Sequence, residues 1–547
     1  MSHYMSVKGR YESGTVRMMG LVEMVFAIIM LIPCIVAVYY NEDIFPFVVL
    51  MPVLFIAGLL QYLLFTPSKN IRSVNGLLIV VIAWAFVFFI GLVPYWLSGL
   101  SLVDSLFESV SGFTTTGATI LSDIESYPRS LLIWRSLTQW VGGFAVIIIF
   151  MYILPILGVG RALFSNELSG SGSSNYTVKM EKAARSFIVV YAVLSLLHLG
   201  LLLICGVKPF EATCMMFSTI STGGLMCTND SLQSFSTVVQ LITVIFMFMG
   251  GVNFYLHYRA IYCKESNVNE ILMPESRDYQ EQKKQTAWEK IVSSIQIVKR
   301  IKVYFSNSEF RFNLLWFLGI AVIAYAFVLT HMEIFDGSLS DYLNEFKNIV
   351  FTVVSLGTTT GFSVNDYTQY PVFVIMLLFL VAFFGASAGS TSGGIKLYRL
   401  RVVYGFLTNA VFRTLRPNTV FTVKMDRNTV SNDTVVSAVS VVLVYIMTLV
   451  VAAAIIMAYG FDLADSFGLS VSAVSNGGLG FGNYGPYGSM ATLPSSLKIF
   501  LAFLMWVGRL EILVALIYFT PSFWKELWMN HRTKVRLKWE SKNKRED

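Results

Sequence analysis

Apolar residues run through this chain in blocks of about 20, the length that crosses the hydrocarbon core of a bilayer as a helix. Ten such blocks can be drawn: Met18–Tyr40, Phe45–Phe65, Gly76–Leu97, Ser130–Ile156, Phe187–Val207, Val238–Tyr262, Asn313–His331, Val372–Val403, Val435–Tyr459 and Leu497–Tyr518. Between some of them lie stretches of about nine apolar or small residues, such as SLFESVSGF after Asp104 and SFGLSVSAV after Asp465. These are too short to span and too apolar for a surface loop, so they read as re-entrant helices buried among the flanking spans, with non-helical backbone beyond them around a polar cavity. Their starts are placed thirteen residues before a recurring glycine, at Asp104, Asn348 and Asp465, and at Phe210 behind Pro209 in the second case. Those are residue types that open helices.

The expected fold is an all-α polytopic membrane protein of ten transmembrane spans plus four re-entrant helices. Residues 1–70 hold two extra spans, and 71–160 and 161–263 the first two units of span, re-entrant helix and span. Residues 264–311 form a cytoplasmic loop, 312–404 the third unit with a broken second helix, 405–433 a cytoplasmic linker, 434–520 the fourth unit, and 521–547 a basic tail. The four units are expected to sit pseudo-symmetrically around one pore.

Composition agrees, since 55% hydrophobic and 13% charged residues with a mean hydropathy of +0.65 exclude a soluble globular domain. The net charge of +7 is not a nucleic-acid signal, because Lys and Arg gather in alternate loops. Nine lie in 262–311, seven in 396–427 and eight from Pro521 onward, against Arg129, Lys208, Lys347 and Lys498 on the other side, which predicts both termini in the cytoplasm. Lys8, Arg10 and Arg17 precede an apolar block too long for a signal peptide, so it is read as an uncleaved first span. Five scattered cysteines with no CxxC pair, and five histidines with no ligand spacing, predict neither a zinc site nor a disulfide framework.

One pattern carries candidate chemistry. SGFTTTGAT (111–119) is echoed in TISTGGL (219–225), GTTTGFS (357–363) and VSNGGLG (474–480). Aligned on Gly117, Gly223, Gly361 and Gly478, the preceding pairs are Thr115-Thr116, Ser221-Thr222, Thr359-Thr360 and Asn476-Gly477. A desolvated alkali cation needs several oxygen ligands at close range, which a ring of backbone carbonyls supplies without net charge. Glycine admits the required backbone, and the C-terminal ends of the re-entrant helices favour a cation. Small and hydroxyl residues are also common where membrane helices pack closely, but four copies on one side of the membrane point to a four-sided cation site.

On these motifs, together with WRSLTQWVGG (134–143), GASAGSTSGGIK (385–396), GRLEI (508–512) and FTP (519–521), the chain resembles the Trk, Ktr and HKT superfamily of potassium transporters, and within it the bacterial TrkH type. The resemblance implies a K⁺ selectivity filter built from the four loops, one pore per subunit of a homodimer, and K⁺ uptake across the bacterial plasma (inner) membrane. It also implies a cytosolic ring-forming TrkA-type regulator. No Walker or dinucleotide fingerprint is read in this chain, so nucleotide is expected only on that partner. Glycine at all four aligned positions is similar to the potassium-selective members. The fourth loop departs from the pattern, with Leu479 where relatives often carry proline.

A second candidate site is the glycine run Gly385, Gly389, Gly393 and Gly394, which should break the eighth block near mid-membrane. By resemblance it is the intramembrane loop that obstructs the pore below the filter. Arg509 lies about 16 Å into the last span at 1.5 Å per residue, and a charge so deep is a functional candidate; by resemblance it faces the gate loop. Lys396 reads as a cytoplasmic-side anchor, Arg135 as snorkelling beside Trp134 and Trp140, and Glu108 and Glu211 as helix-start carboxylates. A symporter of the same fold coupled to H⁺ or Na⁺ is the alternative. A membrane enzyme or a non-transporting sensor is disfavoured, because no catalytic constellation is present and four intact loops are.

Overall fold

The structure, a computed structural model, describes residues 11–12, 14–66, 73–156, 176–262, 296–331, 338–416, 422–425 and 428–525. Most of the expected cytoplasmic loop 264–311 and basic tail 521–547 therefore lies outside the described residues.

Helix underlies all ten apolar blocks. α1 (Gly14–Ile29), α2 (Leu31–Tyr40), α3 (Phe45–Val48) and α4 (Leu50–Leu64) make the N-terminal pair. α1 and α4 meet backbone to backbone: a Cβ on Gly20 would lie 2.6 Å from the Gly58 carbonyl oxygen, the close approach that small residues permit between membrane helices. The first repeat is α5 (Ser73–Leu97), α6 (Leu102–Phe113) and α7 (Arg129–Ile156), and the second α8 (Tyr176–Ile204), α9 (Pro209–Ile220), α10 (Thr237–Gly250) and α11 (Phe254–Tyr262). α12 (Gln296–Ser306) leads into the third repeat, α13 (Ser308–His331), α14 (Leu339–Gly357), α15 (Val372–Phe383) and α16 (Leu397–Leu415). The fourth comprises α17 (Asn432–Ala458), α18 (Leu463–Val474), α19 (Ser495–Arg509) and α20 (Ile512–Ile517).

Among the described residues seven helices are long and apolar enough to cross a membrane, α1 running on into α2 and α3 into α4, or eight if α10 and α11, bent by 99°, count as one. The eighth and tenth blocks are interrupted instead, at 384–396 and at Leu510-Glu511. The helix after the first of these breaks runs on past Val403 to Leu415.

The short helices α6 and α18 begin one turn before Asp104 and Asp465. Their caps are Ser101, whose hydroxyl accepts from Asp104 N at 3.1 Å, and Asp462, whose carboxylate accepts from Asp465 N at 2.7 Å. The acids thus sit at the third helical position, where capping-box partners belong. Asn348 starts nothing: α14 opens at Leu339 behind a capping box of Ser338 and Asp341, and Asn348 lies inside it.

The N-terminal pair docks on the first repeat. Glu42 accepts from the Arg129 and Ser130 amides at 2.7 and 2.8 Å, capping α7 from another element. Phe26 meets Phe113, and Phe47 meets Trp134, at centroid distances of 5.6 and 6.1 Å. At the opposite end of the chain, Lys498 on α19 pairs with Asp104 on α6 at 2.7 Å and donates to the Ala491 carbonyl at 2.9 Å, joining the fourth repeat to the first. Lys498→Met is expected to destabilise the protein by about 2 kcal/mol, the scale for lost hydrogen bonds to a charged group, read as a lower thermal midpoint of the purified protein in detergent.

Candidate ion pathway

All four short helices end in the same turn. A serine Oγ in the last helical turn donates to the carbonyl seven residues on: Ser111 to Ala118 at 2.6 Å, Ser218 to Leu225 at 2.5 Å and Ser355 to Phe362 at 2.6 Å. Its own carbonyl accepts the amide five residues on, in Ser111–Thr116, Ser218–Gly223, Ser355–Thr360 and Ser472–Gly477. Next comes a residue with positive φ, namely Thr115, Thr222, Thr359 and Asn476 at 52 to 55°, and two residues later a glycine with φ of 72 to 86°, namely Gly117, Gly224, Gly361 and Gly478.

This corrects the expected register of the second loop by one residue. The counterpart of Gly117 is Gly224, and Gly223 matches Thr116, Thr360 and Gly477. Ser221 matches Thr114, Thr358 and Ser475, and all four of these hydroxyls bond back into their helices, to Phe217, Val110, Val354 and Val471 carbonyls. In the corrected register the position thirteen before the glycine is Glu211, another acid at the third helical position.

The loops close a ring. A Cβ on Gly117 would stand 2.1 Å from the Gly223 carbonyl oxygen, one on Gly224 1.9 Å from that of Thr360, one on Gly361 2.7 Å from that of Gly477, and one on Gly478 2.2 Å from that of Thr116. Each glycine therefore abuts the backbone of the next loop, in the order one, two, three, four, one. All four line one shared cavity. Three threonines held in the left-handed region are outliers for β-branched residues, with a cost of order 1–3 kcal/mol each, and such strain persists where the surroundings over-determine it.

The glycine run lies directly against this ring. The chain leaves helix after Phe383 and re-enters at Leu397. Thr391 Oγ1 bonds the Ile220 and Gly250 carbonyls at 3.2 and 3.0 Å and meets Thr222 Oγ1 at 3.1 Å. Gly393 N donates to Thr359 Oγ1 at 2.7 Å, and a Cβ on Gly393 would lie 2.0 Å from the Ser475 carbonyl. Gly389 offers its carbonyl to Phe254 N at 3.1 Å, and a Cβ on Gly385 would lie 2.0 Å from the Gly393 carbonyl. From the fourth repeat Arg509 Nη1 donates to the Thr391 carbonyl at 2.8 Å, while Arg509 Nε and Nη2 find no hydrogen-bond partner among the described residues. Gly393, Gly394 and Arg509 line a second cavity with Glu511, and Glu511 pairs with Arg399 at 2.5 Å rather than with Arg509.

Three charges depart from their sequence reading, the first being Glu108, which is no helix-start carboxylate but the buried seventh residue of α6. Lys396 is not a cytoplasmic-side anchor: it is buried and donates to the carbonyl and hydroxyl of Ser392, tying the glycine run to itself. Arg135 does not snorkel, being 1% exposed and paired with the fully buried Glu108 at 3.1 Å. One glycine spacing also went unread: Gly480 to Gly485 (GFGNYG) matches the dinucleotide fingerprint letter for letter. It forms the turn after the fourth loop, where Gly480 N bonds the Tyr484 carbonyl and Tyr367 the Gly480 carbonyl, and the element before that loop is the helix α18 rather than a strand. It is not a phosphate loop.

A family model described as a cation transport protein, TrkH, matches residues 45–526. The chain belongs to the TrkH family of cation transport proteins. The Trk system potassium uptake protein TrkH of Halomonas elongata is 29% identical over 521 residues, covering 93% of this chain and 98% of that protein. TrkG of Escherichia coli K12 is 28% identical over 516 residues, covering 93% and 98%. The crystal structure of the potassium transporter TrkH from Vibrio parahaemolyticus superposes with a TM-score of 0.78 at 27% identity, over 93% of this chain and 99% of that one. As a TrkH-family protein the chain is a multi-pass membrane protein, and the family is one of cation transporters rather than of enzymes.

Proposed function

We propose that this chain is the membrane subunit of a Trk-type potassium uptake system, passing K⁺ inward through the ring of four loops under an inside-negative potential. The observation that carries the reading is the closure of the ring, in which four glycines with positive φ each abut the backbone of the next loop. The filter is then Thr115, Thr116 and Gly117; Thr222, Gly223 and Gly224; Thr359, Thr360 and Gly361; and Asn476, Gly477 and Gly478. Four helix C-termini converge on it, and their partial negative charge favours a cation. The glycine run and Arg509 form the gate beneath. The relatives above are named as potassium uptake proteins, which fits this cargo.

In this reading the protein is a homodimer in a bacterial inner membrane with both termini in the cytoplasm. A TrkA-type regulator carries any nucleotide and docks on the basic cytoplasmic loops. The test is cation flux into liposomes holding the purified protein, comparing K⁺, Rb⁺ and Na⁺ under an imposed inside-negative potential, with the regulator added if the protein alone is silent. K⁺ and Rb⁺ flux at least about tenfold above Na⁺, a preference worth about 1.4 kcal/mol, is the expected result. Flux that requires a proton or sodium gradient would replace this reading with coupled symport, and no cation flux would end it.

A further inference from the structure

The run WRSLTQWVGG places Arg135 and Gln139 one turn apart on α7, and both reach loops of the ring. Gln139 is fully buried; its Nε2 donates to the Gly223 carbonyl at 2.6 Å and its Oε1 accepts from Leu225 N at 3.0 Å, so one amide brackets Gly224 from both sides. Arg135 Nη1 donates to the Met226 carbonyl at 3.4 Å, in the same loop, and Nη2 donates to Thr119 Oγ1 at 2.9 Å, in the first loop. Glu108 completes the network: its Oε2 accepts from Arg135 Nε at 3.1 Å, and its Oε1 accepts from Thr119 Oγ1 and Ile120 N at 2.6 and 2.8 Å.

From this geometry, and resting on the potassium reading above, we propose that Gln139, Arg135 and Glu108 are positioning residues that hold the first and second loops in register and thereby set the discrimination between K⁺ and Na⁺. The support is specific to this side of the ring. Nine residues before the ring glycine the first repeat has Glu108, whereas the others have Met215, Thr352 and Leu469, and none of these carries a charge. Selectivity depends on the number and field of the carbonyl ligands, and the Gly223 carbonyl is both a neighbour of Gly117 and the acceptor of the Gln139 amide. Removing that donor frees the carbonyl to turn. Arg135 also lines the cavity shared by the ring glycines, so Glu108 neutralises a cation at the mouth of the pathway.

The test is the K⁺:Na⁺ flux ratio of the full chain in proteoliposomes for the wild type, Gln139→Leu, Gln139→Glu, Glu108→Gln and the double variant Glu108→Gln/Arg135→Gln. Gln139→Glu, assayed at a pH high enough to ionise its carboxyl, keeps the size of the side chain and the acceptor for Leu225 N but removes the donor to Gly223. Both Gln139 variants are expected to lower the ratio about tenfold, equivalent to about 1.4 kcal/mol. Glu108→Gln is expected to lower K⁺ flux about tenfold by leaving a buried guanidinium unneutralised, and the double variant to recover most of it. In the Gln139 variants a purely structural role would lower yield or scale K⁺ and Na⁺ flux together at an unchanged ratio, and that result overturns the inference. Failure of both Gln139 variants to give folded protein, one of them isosteric, counts the same way. A wild type that discriminates beside variants that discriminate equally overturns this inference alone, whereas a wild-type ratio near one overturns the potassium reading and the inference with it.

Discussion

Gly224→Ala is expected to abolish the preference for K⁺ over Na⁺ and most of the flux, whereas Gly223→Ala should lower the preference only about tenfold. The difference follows from what each new Cβ meets. At Gly224 it would lie 1.9 Å from the Thr360 carbonyl oxygen, which is backbone of the third loop, and φ is +81°. Neither partner can yield without moving the ring, and the left-handed backbone adds about 1–2 kcal/mol of strain for any residue with a Cβ. Together these exceed about 3 kcal/mol, or two powers of ten in discrimination. At Gly223 the nearest atoms are the Gln139 side-chain amide, at 2.4 to 2.8 Å, and a side chain can swing aside at the cost of its hydrogen bonds, about 1 kcal/mol net. K⁺ and Na⁺ fluxes of the two variants in the same vesicles check this directly. Equal losses, or a larger loss at Gly223, would restore the register read from sequence.

That register shows how far the candidate site was legible. The hydroxyl pair before a glycine recurs in the sequence, and in the second loop Ser221-Thr222 stands directly before Gly223, so the chemical likeness of the pairs pulled the alignment one residue early. The turn is marked instead by the serine six residues before the ring glycine, Ser111, Ser218, Ser355 and Ser472, whose carbonyl accepts the amide five residues on in all four loops and whose Oγ closes the turn in the first three. That signal was in the sequence, but its meaning lies in a hydrogen bond between the last helical turn and the descending limb, which no local pattern displays. The ten apolar blocks were legible for a simpler reason, because every backbone group in a bilayer must bond within its own helix and composition alone then marks the segment. The breaks at Leu510-Glu511 and after Gly250 left weaker marks; Glu511, at φ of 63°, carries no turn-forming residue type to announce it.

Charges inside apolar blocks were the least legible class. Arg135 lies near the end of its block, where snorkelling and burial leave the same trace in sequence, and its partner Glu108 is on a different helix. Lys396 closes a glycine run, and only the folded loop brings Ser392 back to it. The fourth loop shows the converse, since its unusual residues were visible and their consequence was not. Ser472 Oγ has no hydrogen-bond partner among the described residues, and Leu479 N turns to the Gly477 carbonyl at 2.8 Å. The loop is braced instead by Asn476, whose Nδ2 donates to Thr116 Oγ1 of the adjoining first loop at 2.9 Å and to the Met505 carbonyl at 2.8 Å. The threonines at this position reach no neighbouring loop of the ring: Thr115 Oγ1 has no hydrogen-bond partner among the described residues, Thr222 Oγ1 bonds the Ser221 carbonyl and Thr391, and Thr359 Oγ1 accepts from Gly393 N, so the bond from the fourth loop to the first is particular to the asparagine.

Arg509→Met is expected to raise K⁺ flux through the unregulated protein about ten- to a hundredfold while leaving the K⁺ preference unchanged. The guanidinium is buried, holds the Thr391 carbonyl at 2.8 Å, and lines the cavity next to Gly393 and Gly394. Thr391 is one of two points where the glycine run touches the ring and its supports, through Thr222, Ile220 and Gly250, the other being Gly393 against Thr359. On the gate reading proposed above, the arginine opposes permeation twice, by fixing the run against the ring and by placing a positive charge on the path of a cation. For unit charges the second effect is about 4 kcal/mol at 4 Å separation with an effective dielectric near 20, and half that at twice the distance. Even the smaller figure exceeds one power of ten in rate. The ring itself makes no hydrogen bond to Arg509, so selectivity should survive. Arg509→Lys keeps the charge and should keep most of the block, which separates electrostatics from packing. If Arg509→Met instead lowers flux together with thermal stability, the residue is a staple between α19 and the glycine run, and the gate must be sought at Lys396 and its bonds to Ser392.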